Sequence, residues 1–117
     1  MDYIKRRLAS FRWAFKGILD LLSNHPNVKI HLLASTLAIG LGVYLQVSSA
    51  EWCIIILCIS VVISLEAMNS ALEYLVDLAS PDYHALAEKA KDIAAAAVLV
   101  ASIGAVAIAT FIFMPKL

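Results

Sequence analysis

The last part of the chain holds "IAAAAVLVASIGAVAIATFIFM", residues 93–114, without one charged side chain. A helix needs about 20 such residues to cross the hydrocarbon core of a bilayer. Two other apolar runs precede it: "LLASTLAIGLGVYLQV" at 32–47, and "WCIIILCISVVISL" from Trp52. The second reaches crossing length only by running on through Glu66 and Asn69 to about residue 72. Inside a bilayer no water satisfies the backbone, and a continuous apolar run of this length satisfies it as a helix. Hydrophobic residues make up 62% of the 117, against about 45–50% in soluble domains. The expected fold is an all-α membrane protein, a single domain over 1–117, with spans at about 32–48, 52–72 and 93–114. "SSAEW" between the first two is expected to be a turn, with Trp52 as an interfacial anchor.

The formal net charge is zero, but the charges are unevenly placed. Lys5, Arg6, Arg7, Arg12, Lys16 and Lys29 precede the first span. Lys89 and Lys91 lie between the second and third, and Lys116 follows the last. This bias predicts a cytoplasmic N-terminus and an outer C-terminus. The basic start lacks the short apolar core of a removable signal peptide. Residues 4–22 read instead as an amphipathic helix, with Ile4, Leu8, Phe11, Phe15, Ile18 and Leu22 on one side and Lys5, Arg12 and Lys16 beside them. Such a helix lies in the membrane interface with its cations toward lipid phosphates. Arg6 and Lys16 reach a phosphorylated ligand equally well. Cys53 and Cys58 read as small buried hydrophobes, in no metal-type spacing. "SPDYH" is expected to restart a helix, with Ser80 as N-cap, Pro81 at N1 and Asp82 in the first turn. From there one helix is expected to continue to Met114, with His84, Glu88, Lys91 and Asp92 on one side of its wet portion. No nucleic-acid partner is expected.

The second apolar run ends in "EAMNSALEYLVD". Glu66, Asn69, Glu73 and Asp77 follow i, i+3, i+7 and i+11, within about a third of a helix circumference. Counting from Trp52 sets Glu66 one to two turns inside the bilayer and Asp77 outside it. A charge at that depth costs about 2.5–3.5 kcal/mol on insertion scales, so a partner or a task must offset it. Three readings meet that condition. Carboxylates paired with a neighbouring helix serve as glue in a non-catalytic assembly subunit. A buried Glu66 suits a small proton-coupled exporter. A row graded from lipid to water suits phosphoryl transfer to a lipid hydroxyl. In that third reading Glu66 is the base, Glu73 holds Mg²⁺ with ATP phosphates, and Lys91 neutralises the transferring charge. No Walker motif or glycine-rich phosphate loop is present.

"EAMNSALEYLVDL" followed by "DYHALAEKAKDIAAAAVLVA" resembles the signature of the prokaryotic integral-membrane diacylglycerol kinase family. "KIHLLA", "EW" and the "PKL" tail resemble its undecaprenol kinase branch, and the similarity runs over about residues 5–117. The resemblance implies a homotrimer in the bacterial inner membrane, with sites between subunits and ATP-dependent phosphorylation of a membrane lipid at the cytoplasmic face. It implies Glu66 as catalytic base and Glu73 as metal ligand, with Lys91, Asp92, Asp82, Tyr83 and His84 as nucleotide contacts. Arg6 matches a phosphate-contacting arginine and Trp13 an aromatic neighbour of the nucleotide. Asn69 matches a polar position at the lipid site, and Asp77 a further polar position. One departure stands out. The family's second metal-binding glutamate falls at His25, and imidazole is a poor ligand for Mg²⁺. Either Asn24 or Asn27 supplies the oxygen, or Glu73 and the phosphates hold the ion, or the correspondence shifts in this loop. His31 is expected to be an interfacial anchor.

Overall fold

A computed structural model describes residues 2–117. Four helices follow one another: α1 (Asp2–Asn24), α2 (Pro26–Tyr44), α3 (Ser49–Ala79) and α4 (Ala85–Phe113), closed by a single 3-10 turn at Met114–Lys116. Helices α2, α3 and α4 are each long and apolar enough to cross a membrane. Leu33, Leu37, Leu57, Leu99, Val100 and Phe111 all face outward, an arrangement suited to lipid and not to water. The chain is an all-α membrane protein.

Pro26 ends α1. It has no N–H to continue the ladder, and its ring would clash with the carbonyl four residues back, so it opens α2 instead. Helix α1 is exposed along nearly its whole length. Of the expected apolar stripe only Leu22 is part-covered, while its neighbour Leu21 is the buried residue. The molecule measures 50 × 47 Å but only 21 Å in depth, as fits a helix set beside the bundle and not over it.

The bundle core is α3 against α4, with α2 packed on α3. Val47, Ile55, Ile112 and Phe113 form a buried cluster toward the end where α2 turns into α3. Helix α2 stops at Tyr44, so residues 45–48 of the expected first span belong to the turn. Val47 N–H donates to Gly42 O (3.2 Å) and Gln46 N–H to Val43 O (3.3 Å), with Gln46 at φ 54°. That is a Schellman closure, invisible in the sequence because its left-handed residue is not glycine. "SSAEW" is likewise mostly helix: Ser48 caps α3, accepting from Glu51 N–H (3.2 Å) while Glu51 Oε1 accepts from Ser48 N–H (2.9 Å). Lys116 reaches the same Glu51 carboxylate at 3.3 Å, tying the chain's end to the start of α3. Trp52 is part-buried and its indole fills the space beside Gly42, leaving no room there for a β-carbon.

At the other end α3 runs on to Ala79, so Ser80 closes that helix instead of opening the next. Its hydroxyl donates to Asp82 O at 2.8 Å, and Pro81 follows as a common stop. His84 takes the cap position of α4, its Nδ1 accepting from Leu86 N–H at 3.1 Å. The helix expected from Pro81 thus begins four residues later.

Candidate active site

Helix α3 has 31 residues, about 46 Å at 1.5 Å per residue, against a hydrocarbon core of about 30 Å. One end must stand clear of the membrane. The polar row occupies that end, graded as its spacing predicts. Glu66 is 3% exposed and Asn69 7%, Glu73 is part-buried and Asp77 is open. Asn69 Oδ1 is buried without a hydrogen-bond partner among the described residues. A buried amide oxygen in that state favours any donor brought to it.

Glu66 has its partner on α2. His31 Nε2 stands 3.4 Å from Glu66 Oε2, with the imidazole only 20% exposed. The expected role of His31 as an interfacial anchor therefore gives way to contact with the buried carboxylate. Sequence reading missed this pairing, although the depth of His31 in α2 was a usable signal: a buried carboxylate needs a neighbour at its own level.

Helices α3 and α4 meet through Lys91, whose ammonium donates to Asp77 Oδ1. Around that pair a cavity of about 320 Å³ opens between the end of α3 and the start of α4. Asp77, Asp82, Tyr83, His84, Lys91 and Asp92 all line it, so five of the expected nucleotide contacts and one further polar position gather in one place. Glu88, also on the wall, accepts from the Tyr83 hydroxyl at 2.9 Å. Arg6 and Trp13 are not among its lining residues. Both lie exposed on α1, where Trp13 carries Lys16 Nζ 4.9 Å from its ring centre and the Arg12 guanidinium at 6.0 Å.

The expected metal residues are less closely assembled. Among the described residues no three His, Cys, Asp or Glu side chains gather to hold an ion. His25 Nε2 instead bonds Tyr74 Oη at 3.1 Å, with the two rings edge-on at 5.3 Å. The Tyr74 hydroxyl donates to Asp20 Oδ2 at 2.9 Å. Hydrogen bonds from Asn24 and then Tyr74 hold the Asp20 carboxyl below its ordinary value. This group fastens the end of α1 to α3. Glu73, one residue away, forms no hydrogen bond or ion pair among the described residues. A single free carboxylate with phosphate oxygens fits the way Mg²⁺ is usually held; His25 does not fit.

A second cavity, of about 260 Å³, lies among α2, α3 and α4 within the apolar part of the bundle. Its walls are Ala34, Ile55, Val62, Val106 and similar side chains, with His31 among them. It is apolar except for His31, Cys58 and the hydroxyls of Ser35 and Ser102.

This is a membrane-embedded helical bundle with a buried carboxylate and an adjoining basic and acidic cleft at one end. The profile of the prokaryotic diacylglycerol kinase family matches residues 12–113. An undecaprenol kinase of Bacillus subtilis (strain 168) is 38% identical over 114 residues, covering 97% of this chain and 93% of its own. A diacylglycerol kinase of Synechocystis is 36% identical over 111 residues, 94% of this chain and 63% of that one. The diacylglycerol kinase of Escherichia coli (strain K12) is 33% identical over 100 residues, 86% and 80% respectively. The chain belongs to the prokaryotic diacylglycerol kinase family and is a lipid kinase. That membership decides against the exporter and assembly-subunit readings.

Proposed function

We propose that this enzyme transfers the γ-phosphoryl group of ATP to the hydroxyl of a membrane lipid at the cytoplasmic face, with undecaprenol favoured over diacylglycerol. The observation that carries the reading is the position of Glu66, buried in the bundle while the row it heads continues to the Lys91 cleft. A base for a lipid hydroxyl belongs at membrane depth, and the groups for a triphosphate belong in water. The first sits on α3, and the second are gathered where the end of α3 meets the start of α4.

In this reading Glu66 takes the proton of the lipid hydroxyl, whose oxygen then attacks the γ-phosphorus. Asn69, with its unpartnered oxygen, orients the lipid head. Lys91, Asp92, Asp82, Tyr83 and His84 position the nucleotide, and the Lys91 ammonium offsets the charge developing on the transferred group. Glu73 is the residue that would hold Mg²⁺, which when bound neutralises phosphate charge and aligns the triphosphate. The apolar cavity beside His31 suits a lipid chain whose hydroxyl end lies toward Glu66.

Arg6 and Trp13 stand away from this cleft within one chain. Their use in nucleotide binding is compatible with a homotrimer, in which α1 of one subunit meets the cleft of another. The apolar side of α1 would then rest on the bilayer and its cations face the lipid phosphates. Lys and Arg ahead of α2 support a cytoplasmic N-terminus in the inner membrane. The preference for undecaprenol rests on the 38% identity to a kinase of that name. Labelled ATP with equal surface concentrations of undecaprenol and diacylglycerol in detergent tests the reading. Label should pass chiefly to undecaprenol; transfer to neither lipid would refute it.

A further inference from the structure

We propose that His31 is the residue that resets Glu66 between turnovers, accepting the proton that the carboxylate takes from the substrate; this rests on Glu66 being the base. The lipid O–H bond breaks and a carboxyl O–H forms on Glu66. The lipid oxygen bonds to the γ-phosphorus as its bond to ADP breaks. Glu66 is left protonated at 3% exposure, where water is scarce, and a second turnover requires it ionised. Among the described residues, His31 Nε2 at 3.4 Å is the basic nitrogen recorded in contact with that carboxylate. The proton moves from Glu66 Oε2 to His31 Nε2, giving imidazolium on a ring less enclosed (20% exposed) than the Glu66 side chain (4%), and leaves the site from there.

The surroundings narrow the choice. On α2, Ser35 spends its hydroxyl on the His31 carbonyl at 2.7 Å, and Lys29 is exposed. On α3 the buried neighbours Asn69 and Ser70 carry no basic group. Helix α4 presents Ser102 to the same cavity and no ionisable side chain. Among the described residues His31 is therefore the only base on that wall. It acts through Glu66 and so is a positioning residue.

The test compares wild type, His31→Gln and Glu66→Gln in detergent with labelled ATP and undecaprenol. Glutamine keeps size and polarity but cannot carry the proton. His31→Gln should lower kcat about tenfold or more, a modest share of what general acid–base groups usually contribute, with KM for ATP within about twofold of wild type. Added imidazole should raise the variant's kcat and leave the wild type's unchanged, a response that lost packing alone would not give. A kcat within twofold of wild type, or a loss that imidazole does not touch, overturns the proposal. Should His31→Gln fail to fold, ¹⁵N-histidine spectra of wild type and Glu66→Gln decide. Of the three histidines, His31 should shift most, and equal spectra overturn the pairing. An inactive wild type, or an active Glu66→Gln, would instead bring down the base reading itself.

Discussion

A β-carbon added to Gly42 would stand 2.8 Å from Trp52 Cη2 and 3.2 Å from two other atoms of the same ring. Ordinary carbon contacts begin near 3.4 Å, so the ring must retreat by about half an ångström. It cannot bend aside as a flexible chain end would, because the methyl lands on the outer edge of a rigid indole. The retreat separates α2 from α3 next to their connecting turn, where small residues let membrane helices approach. Overpacking of this kind costs about 1–3 kcal/mol. Alanine also stabilises a helix by up to about 1 kcal/mol relative to glycine, so the proper reference is a glycine with free space. Gly40, also on α2, has nothing within 4 Å of its notional β-carbon. Gly42→Ala should therefore be less stable than Gly40→Ala by about 1–3 kcal/mol, read from unfolding midpoints in one detergent. Repeating both substitutions in a Trp52→Leu background should remove most of the difference. Equal stability of the two alanine variants, or a difference that survives loss of the indole, would refute the packing argument.

Glu66→Gln should lower lipid phosphorylation by about 10²–10⁴-fold, the usual contribution of a general base, while nucleotide binding by calorimetry stays near wild type. Retention of a tenth of the rate would remove Glu66 from that role. Glu73→Gln and Lys91→Met should instead weaken Mg²⁺-ATP binding, and unchanged affinity in both would refute the division between lipid-side and water-side groups. His25 is already bonded to Tyr74, so His25→Ala should leave the Mg²⁺ concentration for half-maximal rate unchanged, and a clear shift in the titration would return it to the metal site. Gln46→Gly, at the one left-handed non-glycine position among the described residues, should raise the unfolding midpoint by removing roughly 1 kcal/mol of strain; a lower midpoint would contradict that account of the turn.

The three spans were legible because bilayer thickness and backbone satisfaction leave a long apolar run no alternative to helix. Their ends were not, and each miss has a local cause. Gln46 does the work usually given to glycine, so the turn after α2 carried no signal in residue type. Ser48 rather than the following "SAEW" marks the start of α3, a choice made by Glu51 reaching back to its cap. Ser80 has the chemistry of either helix end. Only the continued run of α3 to Ala79 assigns it to the end of one helix and leaves His84 to open the next.

The candidate site's polar row was legible where it repeats along one helix, and its contacts were obscure where they depend on a second. Glu66, Asn69, Glu73 and Asp77 share a face because of their spacing alone, and the structure keeps that order. The partner of Glu66 could not come from spacing, since His31 lies 35 positions earlier in the chain and on another helix. The same limit acts on α1. Its expected contacts, Arg6 and Trp13, stand clear of the Lys91 cleft within one chain, although the end of α1 is fixed to α3 through Asp20, Tyr74 and His25. A helix held firmly at its end and exposed along its length is placed to serve a surface other than its own bundle. The unpartnered oxygen of Asn69 and the free carboxylate of Glu73 call for groups from outside as well. On the proposed reading, a lipid head toward Glu66 and a nucleotide in the Lys91 cleft would supply those groups, together with α1 of a second subunit.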